Sequence, residues 1–271
     1  MPQVSVVMSV YNEERYVGEA VESILEQTFG DFEFIIVDDG SIDHTPVVLK
    51  GYHDSRMKVY YQENRGQSSA LNRGIRLTSG DYIARMDADD ISLPERLERE
   101  VLFLDTYPEV ALVGTWCVKI DARTGRHWIQ SLPEDDVSIR RFMTVDNPFI
   151  HSSIMIRKSV LDEVGLYDEG LIWQDYDLWV RIARNHRMAN ISEPLVIRRK
   201  HPASLTWRAR KSREFWELFI IQCKAAKQLG LRGEGLTAMI KSLAKAVGYK
   251  IHEPQSRQES PESLSRPSSL L

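Results

Sequence analysis

"VSVVMSVYNEERYVGEAVESIL", residues 4–25, decides the architecture. Its first seven residues carry no charge and do not alternate, as suits a strand covered on both faces. Val17, Ala20, Val21, Ile24 and Leu25 then recur at the spacing of one helix face. A strand followed by a helix is one βα unit, and the chain repeats it. "FEFIIVDDGS" (32–41) is a second buried strand before Asp43 and Thr45 open a short helix. "VYYQE" (59–63), "SSALNRGIRL" (68–77) and "DYIARMD" (81–87) continue as strand, helix and strand. Such alternation predicts an α/β fold with a mostly parallel central sheet, helices on both faces, and functional residues beyond the carboxyl ends of the strands. Tyr11, Asp38, Asp39, Asp87 and Asp89 all fall at such ends.

The pattern loosens further on. A helix pattern spans Leu93 to Thr106 and "VALVGTWCVKID" (110–121) reads as a strand. "PEDDVSIRRFM" (133–143) reads as a helix, "SSIMIR" (152–157) as a strand and "QDYDLWVRIARNH" (174–186) as a helix. After "PLVIRRKH" (194–201) come two basic amphipathic helix patterns, about Trp207–Leu229 and Leu236–Val247. From His252 the chain is rich in Ser, Pro, Glu and Gln, too polar to offset its ordering entropy, and is expected to form a flexible tail over 251–271.

A chain of 271 residues that is 42% hydrophobic can bury one substantial core with an extension. Net charge is −4, which disfavours a nucleic-acid partner, yet residues 196–250 hold 13 Lys and Arg against 3 Asp and Glu. Trp207, Phe215, Trp216, Phe219, Ile220 and Ile221 beside Arg208, Arg210, Lys211, Arg213, Lys224 and Lys227 make 202–250 an extension able to touch an anionic membrane surface; a helix packed on the core is the commoner outcome. No apolar run approaches the roughly 20 residues of a membrane span, and the first strand begins at once, so the expected location is cytoplasmic, with peripheral contact at the inner membrane face left open. Cys117 and Cys223 read as small core residues.

"YIARMDADDISLPERL" (82–97) ends a strand on Asp87, Asp89 and Asp90, which repel one another unless a counter-charge joins them. A hard divalent cation, Mg²⁺ or Mn²⁺, takes one or two carboxylates plus phosphate oxygens. If the backbone stays extended, Asp87 and Asp89 point to the same side and can approach one metal. The plainer reading has Asp89 or Asp90 cap the helix near Pro94. Neither GxGxxG nor GxxxxGK is present, so a nucleotide would be held through its base, with Tyr11 offering a ring face and Asp39 an acceptor.

Together with "VSVVMSVYNEERYVGEAVESILEQTFGDFEFIIVDDGSIDHT", the stretches "NRGQSSALNRGI", "SGDYIARMDADD", "HSSIMIRKSVLDEVGLYDE" and "QDYDLWVRIA" resemble, in order and spacing over about Pro2–His201, the family 2 glycosyltransferases of the GT-A fold. The resemblance implies inverting, metal-dependent transfer from a nucleotide-diphosphate sugar, usually a UDP-sugar, to a saccharide or lipid-linked hydroxyl in polysaccharide or glycoconjugate synthesis. It implies that Tyr11 packs on uracil and Asp39 bonds its edge, that Asn72 and Arg73 line the nucleotide and phosphate region, and that Asp87 lies near the ribose. It further implies that Asp89 and His201 hold the metal and that Asp175 is the general base. His151, Trp173 and Gln174 are acceptor-side candidates; Gln174 departs from the family's usual Glu. A hydrogen-bonded structural role for His151 and a core role for Trp179 stand beside these. The expected organisation is a catalytic domain 1–201, its nucleotide half about 1–110 and its acceptor half 111–201. A nucleotidyltransferase, which would need a Gly-rich basic loop after the first strand, and a silent sugar-nucleotide-binding module, which would have lost acids at Asp87, Asp89 or Asp175, are the alternatives.

Overall fold

The computed structural model describes residues 1–201, 212–230 and 236–246. Strands β1 (Val4–Val10), β2 (Phe32–Asp38), β3 (Met57–Tyr61) and β4 (Tyr82–Asp87) pair in parallel in the order β3-β2-β1-β4. Helices α1 (Val17–Leu25), α2 (Thr45–Lys50) and α3 (Gln67–Arg76) form the crossovers. Every residue of β1 and β2 is buried; β1 is an uncharged run, and β2 is apolar but for Glu33 and its last residue, Asp38. Helix α1 buries Val17, Ala20, Val21 and Ile24 against this sheet, a side chain of Ile24's size contributing about 1.5–3 kcal/mol.

Beyond β4 the sheet turns mixed. After β5 (Ile91–Ser92) and α4 (Arg96–Thr106), β6 (Val110–Asp121) forms a surface ribbon with β7 (His127–Gln130). Helix α5 (Asp136–Phe142) and a single 3-10 turn at His151–Ser153 lead to β8 (Met155–Arg157), which lies antiparallel between β4 and β6. Helices α6 (Lys158–Val164) and α7 (Gln174–Ile182) precede β9 (Arg187–Lys200), parallel to β6 and edged by antiparallel β5. This curled α/β sheet with helices is the GT-A arrangement expected. The sequence reading missed β5, β7, α6 and β9, ran "SSIMIR" as strand where it begins in a 3-10 turn, and started α4 three residues early.

Helix α8 (Ser212–Gln228) packs on α7: Leu218, Ile221 and Ala225 join the core cluster that holds Trp179. Lys224 Nζ lies 3.2 Å from Asp177 Oδ1. Of the apolar stripe, Ile221 is therefore core, while Trp216 and Ile220 are exposed. Trp207, Arg208, Arg210 and Lys211, like the 251–271 tail, lie outside the described residues. Helix α9 (Leu236–Ala246) follows, and no described helix is long and apolar enough to cross a membrane.

Glu33 fastens the inner edge of this scaffold. Its carboxylate accepts hydrogen bonds from the Ser79 backbone (2.7 Å) and hydroxyl (2.7 Å), from Ser5 Oγ (2.9 Å) and from Lys58 Nζ (3.0 Å). Burial works against the charge, but these donors win and hold Glu33 down at about 2. A depressed carboxyl contributes stability that is present above its unfolded value and lost as pH falls toward 2. Glu33→Gln should therefore cost about 2–3 kcal/mol at pH 7 and progressively less in acid. Denaturant melts at pH 7 and pH 3 read it, and an equal cost at both would rule the assignment out.

Candidate active site

The first strand end presents an exposed ring. Tyr11 follows β1 with 44% of its surface accessible, and Asn12 turns the chain at φ +55°. Asn12 N–H donates to Ser41 Oγ (2.9 Å) and its Oδ1 accepts from Ile42 N–H (2.9 Å), tying the loops after β1 and β2 together. Asp39 is 2% exposed. Its carboxylate accepts from Gln62 Nε2 (2.7 Å), Arg65 N–H (2.9 Å) and Gly66 N–H (2.8 Å). Gly40, at φ +77°, permits this closeness, because a Cβ there would come within 2.8 Å of Asn64 N. Asp39 is thus committed to shaping the loop after β3, and a base edge would share it with that loop.

The acids after β4 do not continue an extended strand. The chain turns at Ala88–Asp89, with Asp90 N–H 3.4 Å from Asp87 O, so Asp87, Asp89 and Asp90 each bring a carboxylate oxygen within 4.8 Å of one another. Asp87 pairs with Arg85, whose side chain is 2% exposed, and accepts from Ser152 Oγ at 2.7 Å. Burial opposes the Asp87 charge, yet the Arg85 guanidinium holds its carboxyl well below the usual range. Asp90 is fully enclosed, caps no helix, and shares the Ser152 hydroxyl while accepting from Arg199 N–H (3.0 Å). Burial, then the charges of Asp89 and Asp87, push it up to about 8.

Strand β9 closes the other side. His201 Nε2 lies 3.0 Å from Asp89 Oδ2, and that contact raises the imidazole above its ordinary value. The Tyr16 ring packs 4.6 Å from His201. Arg199 donates to Asp89 O (3.2 Å) and pairs with Glu19. Glu13 also faces this group; burial and the Asp89 charge raise it to about 7.

At the opposite wall Asp175 opens α7. Its Oδ1 accepts from Tyr176 N–H (2.8 Å) and its Oδ2 from Asn147 Nδ2 (2.8 Å). Burial outweighs these donors and raises its carboxyl. Gln174 Nε2 donates to Gln67 Oε1 (3.1 Å), and Gln67 Nε2 donates to Asp87 Oδ1 (3.3 Å). A chain of neutral amides thus joins the wall carrying Asp175 to the acid turn. His151 Nε2 lies 2.9 Å from Tyr167 Oη; burial, then the Arg85 charge, keeps the ring neutral.

Asn72 and Trp173 are placed otherwise than expected, while Arg73 stands beside Gln62, a partner of Asp39. Asn72 is 2% exposed and exchanges hydrogen bonds with Tyr167, Nδ2 to O (2.9 Å) and N–H to Oδ1 (3.0 Å). It ties α3 to the loop before α7 rather than lining a nucleotide pocket. Arg73 donates to Tyr61 O (2.8 Å), lies against the Tyr60 ring, and reaches Gln62 Oε1 (3.4 Å), whose Nε2 donates to Asp39. Trp173 is docked on α8, its backbone N–H 2.5 Å from Glu217 Oε1 and its Nε1 donating to Glu214 O (3.0 Å). Trp179 is core, edge-on to Phe149. Arg85, Ser152, Gln67 and Glu13 escaped the sequence reading. For Arg85 the signal was present: a charge inside a buried strand two residues from Asp87 shares its face.

The donor set suits a hard divalent cation. Three aspartates and a histidine converge with Glu13 alongside, and two of these acids are driven toward protonation by burial and then by their neighbours' charge, of which a cation would remove the second. Asp87 and Asp90 are already engaged by Arg85 and Ser152, so Asp89, with His201 3.0 Å from its Oδ2, is the acid of the turn best placed to reach one.

Comparison with known proteins agrees with this architecture. The family model "Glycosyl transferase family 2" matches residues 5–165. The amylovoran biosynthesis glycosyltransferase AmsE of Erwinia amylovora is 32% identical over 198 residues, covering 71% of this chain and 74% of that protein. The S. aureus TarS structure in complex with UDP-GlcNAc superposes with TM-score 0.70 at 21% identity, over 90% of this chain and 71% of that one. The mannosyltransferase PcManGT from Pyrobaculum calidifontis, in complex with GDP-Man and Mn²⁺, gives TM-score 0.61 at 21% identity, over 93% and 76%.

Proposed function

The chain belongs to glycosyl transferase family 2, and from that membership we propose that it transfers a sugar from a UDP-sugar to an acceptor hydroxyl, with inversion, in polysaccharide or glycoconjugate synthesis. The observation that carries this is the hydrogen-bonded link from the acid turn to the start of α7: Asp87, in the turn that meets His201, is joined through Gln67 to Gln174, the neighbour of Asp175. The UDP-GlcNAc complex of TarS and the biosynthetic role in the name of AmsE support the donor and the pathway class.

In this reading residues 1–110 form the nucleotide half and 111–201 the acceptor half. Tyr11 stacks on the base, Asp39 holds the loop that frames it, and Asp87, fixed by Arg85 and Ser152, faces the ribose. Asp89 and His201 would hold Mn²⁺ or Mg²⁺, which when bound supplies positive charge to the departing diphosphate. Asp175 accepts the acceptor's hydroxyl proton as the oxygen attacks the anomeric carbon. A single displacement inverts that carbon, and the proton leaves on Asp175. A silent binding module is disfavoured because Asp87, Asp89 and Asp175 are all present and supported by their neighbours.

A panel of sugar-nucleotides scored by thermal stabilisation, with and without Mn²⁺, tests the proposal. A UDP-sugar should raise Tm most and only with metal, as mass action on the folded state requires. Equal shifts for all nucleotides, or none, would reject it.

A further inference from the structure

Strands β6 and β9 carry a pair of cations that the proposed donor site does not use. Lys119 on β6 is the register partner of Arg198 on β9, and on its other side of Trp128 on β7. Register partners point to the same face, so Trp128, Lys119 and Arg198 stand in a row across three strands. Arg199 and His201, one and three residues on from Arg198, alternate to the opposite face, where they meet Glu19 and Asp89.

Lys119 and Arg198 are both partly buried. Among the described residues neither side chain makes a hydrogen bond or an ion pair. Like charges directly opposite on neighbouring strands destabilise a sheet, and burial together with the Arg198 charge weakens the hold of Lys119 on its proton. The charge of Arg198 is felt at Asp175, Asp90 and His151, and Asp146, whose charge is felt at Lys119, is the chain neighbour of the Asn147 that bonds Asp175. Asp146, the acid whose charge reaches Lys119, is exposed and forms no ion pair with it. Trp128 is 44% exposed and flanks the pair on its outer side.

We propose that Lys119 and Arg198 form an anion seat on the acceptor side of the site, which takes a phosphate group carried by the acceptor. The inference rests on the transferase reading and specifies its acceptor class. A phosphate brings up to two charges to two unpaired cations, and a guanidinium fork matches its oxygens. Trp128 supplies a ring face to whatever carries the phosphate, a sugar or an isoprenoid. The donor's diphosphate is the less suited occupant, since the strand alternation sends Arg198 away from Asp89 and His201. Phosphate oxygens held here would bring an attached saccharide beside Asp175.

Calorimetry on the full chain, saturated with UDP and Mg²⁺ at low ionic strength, tests the seat. The probes are glucose 1-phosphate, geranyl phosphate and uncharged methyl glucoside; the proteins are wild type, Lys119→Gln, Arg198→Gln and the double variant. At least one phosphate probe should bind wild type, and bind the double variant about tenfold or more weakly, with UDP affinity unchanged in both. The tighter of the two phosphates names the carrier, and either order supports the seat. Phosphate binding that survives both substitutions overturns the proposal, as does methyl glucoside binding as well as glucose 1-phosphate. A parallel fall in UDP affinity would assign the cations to the donor and overturn it too. Failure of the transferase reading shows separately, as wild type that does not bind UDP with metal. Should Arg198→Gln not fold, Lys119→Gln alone must weaken the phosphate probe, and an unchanged affinity there refutes the seat.

Discussion

Asp89→Ala should lower metal-dependent UDP affinity by about 10²-fold, while the exposed Glu95→Ala leaves it unchanged. Asp89 is the member of the acid turn with least else to do: one oxygen meets His201, whereas Asp87 is held by Arg85 and Ser152 and Asp90 by Ser152 and Arg199 N–H. Removing it takes a ligand and leaves the Arg85–Asp87 pair intact, while His201 loses the contact that raises its imidazole. The same change should let Glu13 and Asp90 ionise more easily, because the Asp89 charge raises both. Asp87→Ala is a different experiment. It would leave the Arg85 guanidinium, 2% exposed, without its counter-charge, and such uncompensated burial costs about 3–5 kcal/mol. Calorimetry of UDP with and without Mn²⁺ decides the Asp89 role; unchanged metal-dependent binding in Asp89→Ala would place the cation elsewhere.

The donor half was legible because its strands are largely apolar runs and its helices keep one apolar face, signals strong enough to place β1, β2 and β4 nearly to the residue. The ribbon strand β7 was not, since "HWIQ" is largely exposed and carries no apolar period. Helix α3 shows a subtler limit. Asn72 and Arg73 lie in the right segment, but a helix sends neighbours about 100° apart. Only packing reveals that Asn72 meets Tyr167 and Arg73 meets Tyr61. The turn at Ala88–Asp89 likewise depends on Ser152, 62 residues after Asp90, and on Arg199, 109 residues after it, contacts no local pattern encodes. Where chemistry left a local trace, as with Asp175 at the start of α7, the residue was found.

Asp175→Asn should reduce transfer by about 10²-fold or more while leaving UDP and metal affinity nearly intact. An alcohol attacks poorly until its proton has somewhere to go, and Asp175 is a partly buried carboxylate facing the site with each oxygen already oriented, by Tyr176 N–H and by Asn147. Asn preserves the shape and removes the proton acceptor. Asp177 cannot substitute: it faces α8, paired with Arg181 at 2.9 Å and Lys224 at 3.2 Å, so Asp177→Asn should lower stability more than turnover. The pH profile carries a second signature. Burial raises the Asp175 carboxyl, so its ionised form, and with it transfer, is lost as pH falls through a value above the ordinary carboxylate range. Gln174→Glu adds a negative charge beside it and should move that acidic limb to still higher pH, at little cost to the plateau rate. His151 is the remaining candidate base, neutral but already engaged with Tyr167 Oη. Steady-state rates across pH for Asp175→Asn, Gln174→Glu and His151→Gln separate the two. Near-normal turnover in Asp175→Asn with a collapse in His151→Gln would move the base to the histidine, whereas an acidic limb that shifts in Gln174→Glu fixes it on Asp175.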